Sequence, residues 1–347
     1  MPEPVESSDV QSRVLAALEE SLSTHTIPAA PVCVAFSGGV DSAVLLHALS
    51  RSAADRPVRG IYVDHGLHPE SGRWAYSCEQ IGRKLRVPVI TVKANVDLTG
   101  GLGLEAAARE ARYAALAAQL QPGEVLLTAH HQRDQFETLL LRLLRGAGVH
   151  GLAAMSMHRR RGTVKLLRPF LNLPAELIPA YASAAGLDWV DDPSNADVSI
   201  DRNFLRHNVL PALQERWPSA DSAVARAARL CGDAAQILDD VAARDLAGLL
   251  DRDRLKLAEL SKLSGPRQRN VVRHALRLRG LAIPSEQQLR QAMATLTQAG
   301  STAQPEVAWP GVRIRRYRQH LWLYAEETDP RCAKVPAASY GWRPGEV

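Results

Sequence analysis

Short apolar runs alternate with helix-forming stretches through the first half of this 347-residue chain. The apolar runs are PVCVAF (31–36), RGIYVDH (59–65), VPVITVKA (87–94) and EVLLTAHH (124–131). The helical patterns follow SGGVDS (37–42) and cover 71–86, 104–120 and 132–146. Strands that alternate with helices form right-handed βαβ units and a parallel sheet. Because the runs are continuously apolar, the sequence predicts a doubly wound α/β fold with helices on both faces of the sheet.

The pattern changes near residue 206, where helical periodicity replaces the alternation. It dominates 222–250 and 255–299, and residues 309–326 then resemble a short hairpin. We therefore predict a catalytic domain over 1–215, a mainly helical second domain over 216–328, and a tail over 329–347. The boundary is placed at Arg216-Trp217-Pro218.

Composition narrows the class of protein. The four cysteines form no CxxC pair, which is typical of isolated thiols in a reducing compartment, and we expect a cytoplasmic protein. A run of about 18 apolar residues is absent from the sequence, so no membrane span is predicted. The formal charge of +5 is a weak indication of a polyanionic partner. The residues leave the oligomeric state open, with a homodimer as one option.

SGGVDS lies between a predicted strand and a predicted helix. A helix N-terminus offers unpaired N–H groups to an anion, Gly38 and Gly39 allow a close approach, and Ser37 and Ser42 add hydroxyls. Asp41 would repel phosphates unless a cation lay between them, so it predicts bound Mg²⁺. The alternative is a glycine-rich turn with capping side chains. We predict that Ser37 to Ser42, including Val40, form a cradle for a pyrophosphate group.

Together, strand, SGGVDS loop and helix resemble the PP-loop ATP pyrophosphatase family. This resemblance implies ATP cleavage between the α and β phosphates and adenylation of a substrate oxygen. Four further stretches are similar to the tRNA(Ile)-lysidine synthetase family. They are VDHGLHPESGRWA (63–75), LEAAAREARY (104–113), AHHQRDQFETLLLRLLRGAG (129–148) and DDPSNADVSIDRNFLRHNVLPAL (191–213).

That second resemblance implies an enzyme that uses ATP to join L-lysine to C2 of the wobble cytidine of an isoleucine tRNA with a CAU anticodon. The intermediate would be an adenylated cytidine. One alternative is a PP-loop tRNA cytidine thiolase, although such relatives generally use paired cysteines or an iron–sulfur cluster. Another alternative is a non-catalytic tRNA-binding relative.

Acidic and histidine side chains follow the fourth predicted strand. Asp134 and Glu137 are three residues apart on one helix face and would hold a lysine ammonium or Mg²⁺. The alternative is a solvated acidic helix start. His130 and His131 end the strand, and either contacts the nucleotide or serves only packing and capping; the resemblance favours His131.

Arginines supply the remaining candidates in this half. By family position Arg112 is a better candidate than Arg109 for reaching phosphates, since Arg109 has Glu105 four residues before it as a surface partner. Arg202, Asn203 and Arg206 are candidates for binding the lysine carboxylate or the tRNA backbone. The alternative for these three is an ion-pair network with Asp191, Asp192 and Asp201.

Arginines also cluster in three places in the later sequence, at 158–161, at 267–279 and at 313–318. The last group is interleaved with Trp309, Tyr317, Trp322 and Tyr324, a combination that suits anticodon bases and phosphates. We single out Arg315 and Arg316 as phosphate contacts, with a solvated basic face as the alternative. Relatives often carry a further C-terminal β-rich domain, and YGWRPGEV at the end of the sequence is similar to its opening.

Overall fold

A computed structural model describes residues 7–52, 56–66, 68–96, 103–300 and 303–326. The chain divides into two compact units between Gly232 and Asp233, inside one long helix. The predicted boundary at 215 lies instead at the end of a shorter helix, Leu210–Arg216. The predicted tail over 329–347 lies outside the described residues.

The first unit is built on a six-stranded sheet. Its strands are β1 (Val32–Ala35), β2 (Val58–Asp64), β3 (Val89–Lys93), β4 (Val125–Leu127), β5 (His158–Arg161) and β6 (Val164–Leu167). The order across the sheet is β3-β2-β1-β4-β6-β5. All neighbours are parallel except the edge strand β5, which pairs antiparallel with β6. The predicted doubly wound fold is confirmed, with one hairpin that the sequence analysis missed.

Helices cover both faces of this sheet. They are α1 (Ser7–His25), α2 (Val40–Ser52), α3 (Ser71–Leu85), α4 (Leu104–Gln119), α5 (Gln132–Leu144), α6 (Val149–Leu152) and α7 (Leu177–Ala184). One core cluster joins apolar side chains of α1, α2, α3 and α7 to the sheet, and a second joins α4 to its opposite face. This two-sided burial explains why the strands are continuously apolar.

β1 has β2 on one side and β4 on the other, so the direction in which the chain adds strands reverses there. In open α/β sheets a ligand crevice forms at such a point, outside the carboxyl ends of the strands. SGGVDS follows β1 and AHHQRD follows β4. The topology therefore brings both motifs to one crevice.

A segment rich in polar residues follows α7 and precedes the long helix in which the first unit ends. It contains a 3₁₀ turn (Pro193–Ala196), α8 (Asp201–Phe204), a π-helical turn (Leu205–Val209) and α9 (Leu210–Arg216). The long helix α10 (Ala220–Leu249) then carries the chain into the second unit. Single π-helical turns inside helices are frequently found at functional sites.

Among the described residues, the second unit combines the second half of α10 and three further helices with a five-stranded antiparallel sheet. The helices are α11 (Leu257–Lys262), α12 (Gly265–Leu278) and α13 (Glu286–Gln298). The strands are β7 (Leu250–Asp251), β8 (Arg254–Lys256), β9 (Glu306–Trp309), β10 (Val312–Tyr317) and β11 (His320–Ala325). Their order is β7-β8-β11-β10-β9. The predicted hairpin is thus the centre of a larger sheet, whose inner face forms a core with the helices.

Candidate active site and RNA-binding surfaces

The phosphate loop lies at the start of α2 and is held by hydrogen bonds of its own. The Ser42 hydroxyl donates to the Gly39 carbonyl at 2.9 Å, and the hydroxyls of Ser37 and Ser42 are 3.2 Å apart. Gly38 has φ +83°, and a Cβ atom there would lie 2.7 Å from Sγ of the buried Cys78. This position therefore requires glycine both for its backbone conformation and for space.

A cavity of about 340 Å³ opens beside this loop. It is lined by Ser37, Asp41 and Ser42, by β2 residues, by Arg112 and Tyr113 of α4, and by Thr128, His130 and Asp134 after β4. The predicted loop residues Ser37, Asp41 and Ser42 thus meet Arg112 and Asp134 at one cavity. Its volume falls in the range of small-ligand sites, which fits a nucleotide.

Histidines and carboxylates form a buried chain at the cavity edge. Nε2 of His131 is 3.6 Å from Oδ1 of Asp41, and its Nδ1 is 3.6 Å from Oδ2 of Asp134. Burial by itself lowers the pKa of His131, but the neighbouring carboxylates of Asp41 and Asp134 outweigh it and raise this pKa. His130 is different, because burial lowers its pKa to about 3, and its Nδ1 lies 2.8 Å from the Thr128 hydroxyl. His130 therefore presents a neutral ring to the cavity.

Asp134 remains ionised in this environment. Burial raises its pKa, but the neighbouring histidines, Arg202 and a hydrogen bond from the His131 backbone N–H, at 2.9 Å, lower it by more. Only 8% of Asp134 is exposed, and Glu137 is fully buried. The alternative of a solvated acidic helix start is therefore wrong for these two residues.

Glu137 is held by two arginines. Arg206 forms a bidentate pair with it, from Nε at 2.7 Å and from Nη2 at 3.1 Å, and Nε of Arg202 lies 2.9 Å away. Arg206 also reaches Asp134 at 3.6 Å, and Arg202 donates to the Thr138 hydroxyl at 2.9 Å. An ion-pair network does exist here, but its acids are Glu137 and Asp134 rather than Asp191, Asp192 and Asp201.

The side-chain amide of Asn203 is used in the structure of the chain itself. Its Nδ2 donates to the carbonyls of Ser194 and Asp197, which fastens the turn before α8. The same segment is tied to the phosphate loop, because the Val190 N–H donates to the Gly38 carbonyl at 2.8 Å. Asp192, two residues later, lines the cavity, and the sequence analysis did not select it for the site. Its only signal was its place in the DDPSN stretch.

The phosphate loop offers one carboxylate that suits Mg²⁺. Asp41 offers a carboxylate whose side chain is 46% exposed, beside the phosphate loop. Clusters of three or more ligand side chains are absent from the described residues. Mg²⁺ is usually held by one or two carboxylates together with substrate phosphates, so a single exposed acid is a suitable donor set. Asp41 would hold the ion, which would neutralise phosphate charge.

Strand alternation divides the aromatic and basic residues of the second unit between two faces. Arg313, Arg315 and Tyr317 alternate with the buried Val312, Ile314 and Arg316. On the outer face, Arg313 pairs with Glu306 and Glu326, Arg315 donates to the Gln304 side-chain oxygen, and Arg254 stacks over Trp322 at 5.5 Å. Arg315 is therefore a cation without a carboxylate partner among the described residues.

Arg316 is not the exposed phosphate contact that the sequence predicted. Only 4% of it is exposed, and its guanidinium donates to the carbonyls of Leu296 and Ala299 at the end of α13. A cation there satisfies open carbonyls of a helix C-terminus, so Arg316 is a structural residue in the core. Trp309 is likewise 8% exposed and donates its indole N–H to Ala282.

The two other arginine clusters also have different environments. In the 267–279 cluster most arginines are paired: Arg267 with Asp245, Arg273 with Glu286 and Arg277 with Asp239. This cluster fits the alternative of a charged, ion-paired surface. The 158–161 cluster forms β5, at the edge of the first unit's sheet. The predicted alternative partner of Arg109, the Glu105 side chain, lies outside the described part of the chain.

Comparisons with known proteins agree with this organisation. Residues 7–213 match the family model described as PP-loop domain, and residues 255–322 match the TilS substrate binding domain. The chain is 46% identical over 87% of its length to a tRNA(Ile)-lysidine synthase of Alkalilimnicola ehrlichii, covering 69% of that protein. It is 40% identical over 84% of its length to one of Coxiella burnetii, covering 65%. The chain thus spans about two thirds of the length of these relatives.

One solved structure shares the fold. It is the U34-tRNA thiolase NcsA from Methanococcus maripaludis with its [4Fe-4S] cluster, which aligns with a TM-score of 0.54 over 65% of this chain and 80% of that one. The two are 13% identical, so the likeness concerns the fold alone. Helices long and apolar enough to cross a bilayer are absent from the described residues. With both family models matched in order and 46% identity to a curated member, the chain belongs to the tRNA(Ile)-lysidine synthase family.

Proposed function

We propose that this chain catalyses ATP-dependent ligation of L-lysine to C2 of the wobble cytidine of an isoleucine tRNA. The observation that carries the proposal is the meeting of the phosphate loop, Arg112 and Asp134 at one cavity, where Asp134 is joined to the Arg206–Glu137 pair. Family membership supports the same reaction. We expect the protein to act in the cytoplasm, and a homodimer remains one option for its assembly.

The first step is adenylation of the cytidine. ATP lies with its phosphates at the start of α2, where backbone N–H groups, Ser37 and Ser42 donate to them. The cytidine O2 attacks the α-phosphorus, the bond to the β-phosphate breaks, and pyrophosphate leaves. Arg112 faces the same cavity and stabilises the negative charge that develops on the phosphate oxygens. His130, being neutral, serves as a hydrogen-bonding group rather than as a cation.

The second step replaces AMP by the amine. The lysine ε-amine attacks C2, the C2–O bond breaks, AMP leaves, and the amine loses a proton. Asp134 lines the cavity and remains ionised, so it is suited to hold the ammonium group and orient it. Glu137 is absent from the cavity wall and acts through Arg202 and Arg206, which it positions. These arginines are the candidate partners of the lysine carboxylate.

The second unit supplies an RNA-binding surface in this proposal. Its outer sheet face presents Arg315 together with Tyr317 and Trp322, and Tyr317 is 41% exposed. Arginine and aromatic side chains on a sheet suit phosphates and unpaired bases. The match to a substrate binding domain over 255–322 supports this assignment.

The decisive experiment incubates the chain with ATP, lysine and an isoleucine tRNA carrying CAU, followed by mass analysis of its nucleosides. We expect lysidine with the wild type and none with Asp41→Ala, because that change removes the proposed Mg²⁺ ligand. Arg83→Gln, an exposed change in the last turn of α3, is the control and should retain activity. A sulfur-containing nucleoside would instead support a thiolase, and bound but unmodified tRNA would support a non-catalytic relative.

A further inference from the structure

Four arginines come together beside the candidate active site, outside the groups used above. They are Arg109 on α4, Arg142 on α5, Arg159 on β5 and Arg168 directly after β6, and we call them the inner arginine cluster. Arg159 and Arg109 each depress the pKa of both Arg142 and Arg168. Because such effects require proximity between like charges, the four guanidinium groups share one region.

Strand register explains how the cluster forms. Arg159 pairs with Leu166 across the β5–β6 hairpin, so both side chains lie on the same face of the sheet. The Arg168 N–H donates to the Met157 carbonyl, which extends the ladder and keeps Arg168 on the face of Leu166. Leu166 belongs to the core cluster beneath α4, the helix that carries Arg109. Arg159 and Arg168 therefore lie on the sheet face that is covered by α4, the helix of Arg109.

Arg168 is the most unusual member of the cluster. It is 3% exposed, and Nη1 donates to the Ser156 carbonyl at 2.8 Å. Its Nε is buried and has no hydrogen-bond partner among the described residues. Burial lowers its pKa, Tyr113 partly offsets this through its charge and a hydrogen bond, and the neighbouring Arg159 and Arg109 lower the pKa again. A buried guanidinium with an open donor is costly unless an anion completes it.

The described carboxylates do not supply that anion. Among the described residues, no member of the cluster forms an ion pair with Asp or Glu, whereas Arg202 and Arg206 in the same unit both do. Arg142 is also held only by carbonyls, those of Gly151 and Ala154. The cluster therefore brings four positive charges together without a recorded ion pair to a carboxylate in the described part of the chain.

The position of the cluster indicates the kind of anion. α4 carries both Arg109 and the residues Arg112 and Tyr113 that line the cavity, and the guanidinium groups of Arg109 and Arg112 lie 5.5 and 5.7 Å from the same Tyr113 ring. Arg109 and Arg159 are exposed, so the cluster opens to solvent. We propose that the inner arginine cluster binds a phosphate of the tRNA backbone next to the nucleotide being modified. The identity of the polyanion rests on the proposed function above.

A lysine carboxylate is the competing ligand, but it carries one charge and fits a single arginine fork. A polynucleotide brings a phosphate at every nucleotide and gains from several exposed cations along an edge. Arg160 is exposed on the same edge strand and continues the positive charge along it. The charge and the open edge therefore favour RNA.

The test measures tRNA binding in the absence of ATP and lysine, so it does not depend on whether the reaction occurs. Arg109→Gln combined with Arg159→Gln changes two exposed side chains and should leave the fold intact. We expect the log–log dependence of binding on salt to become shallower by about 0.7–0.9, the contribution of the one phosphate that the cluster is proposed to bind. ATP affinity without tRNA should stay within about twofold, because these changes remove no predicted phosphate-loop donor.

The matched control is Arg51→Gln combined with Arg83→Gln, which also removes two exposed arginines from this unit. Arg51 lies in the last turn of α2, at the opposite end of that helix from the phosphate loop, and Arg83 lies in the last turn of α3. The control should keep the wild-type salt dependence. An unchanged salt dependence in the Arg109/Arg159 variant would overturn the proposal.

A second arm uses the buried arginine in steady-state lysidine formation. Arg168→Lys keeps the charge and should raise the KM for tRNA less than Arg168→Gln does, with the KM for lysine unchanged in both. If Arg168→Gln raises the KM for lysine and leaves tRNA binding unchanged, the ligand is the carboxylate and the proposal is wrong. Should Arg168→Gln fail to fold, the Arg109/Arg159 variant still decides the question.

Discussion

The active-site network of the first unit and the outer sheet face of the second unit use arginine in different ways. In the first unit, Arg202 and Arg206 converge on the buried Glu137, whereas the outer sheet face of the second unit leaves Arg315 with only an amide oxygen. A guanidinium already bound to a carboxylate is fixed in orientation, which suits recognition of a small substrate at a defined distance. A guanidinium on an open face is suited to a long, mobile polyanion. Whether an arginine is paired with a carboxylate therefore indicates which kind of ligand it binds better than its position in the sequence does.

The largest effect that tests this contrast is expected from Glu137→Gln. The change leaves two arginines facing a neutral amide in a buried site, and breaking a buried pair from one side costs about 3–5 kcal/mol in the free energy of unfolding. Chemical denaturation would measure this loss. We further predict that the variant still adenylates tRNA but transfers lysine slowly, with a KM for lysine raised about 10-fold or more, the equivalent of one charge-assisted contact.

Single-turnover assays with labelled ATP and, separately, labelled lysine distinguish the two steps. Glu259→Gln, which removes an exposed acid paired with Lys262, is the control and should cost less than about 1 kcal/mol. If adenylation fails as badly as lysine transfer, Glu137 serves the nucleotide site, and its arginines do not act on lysine alone.

Gly38 and Gly39 offer a second, smaller comparison inside the phosphate loop. Gly38→Ala places a Cβ against Cys78 Sγ and forces a positive φ on alanine, which together should cost about 3 kcal/mol of unfolding free energy. At Gly39 the nearest atom to an added Cβ is Ser37 Oγ at 3.6 Å, an ordinary contact. Thermal or denaturant unfolding of the two variants should therefore differ clearly. Equal stabilities would mean that the loop tolerates a side chain at either position.

Neighbouring arginines on β10 test the alternation of the sheet. Arg316→Leu leaves the carbonyls at the end of α13 without a donor and should lower the free energy of unfolding by about 2 kcal/mol. Arg315→Gln should change stability by less than about 0.5 kcal/mol. Unfolding curves of both variants, recorded at one protein concentration, provide the comparison. A larger loss in Arg315→Gln would contradict the assignment of inner and outer faces.

Sequence reasoning succeeded where a motif and its structural context coincide. SGGVDS follows a strand and begins a helix, so its location at the sheet edge could be predicted from the chain alone. The β5–β6 hairpin was missed because β5 consists of His158 and three arginines and has no apolar alternation. The turn at Gly162, with φ +58°, was the available signal. Arg168 was not predicted as a site residue because the burial of a charged side chain cannot be inferred from residue spacing alone.

Ion pairs between residues far apart in the chain were the other feature that could not be predicted from the sequence. Glu137 and Arg206 are separated by 69 residues, so only the fold brings them into contact. The sequence suggested acids closer along the chain, Asp191, Asp192 and Asp201, as partners of these arginines. Asp201 in fact contacts Arg145, and Asp192 accepts from the Ser194 N–H. Asp192 therefore serves a local turn and Asp201 an exposed ion pair, while the distant Glu137 holds the arginines of the site.

The smallest effect we predict concerns RNA binding by the outer sheet face. Arg315→Gln should lower the log–log salt slope of tRNA binding by about 0.7–0.9 while leaving ATP affinity unchanged, because one phosphate contact is lost. Arg313→Gln is the matched control, since Arg313 is already paired with Glu306 and Glu326 and should contribute less to the slope. The measurement is filter binding between about 50 and 200 mM salt. If the two variants shift the slope equally, carboxylate pairing does not decide which arginine contacts RNA, and the contrast between the active-site network and the outer sheet face loses its physical basis.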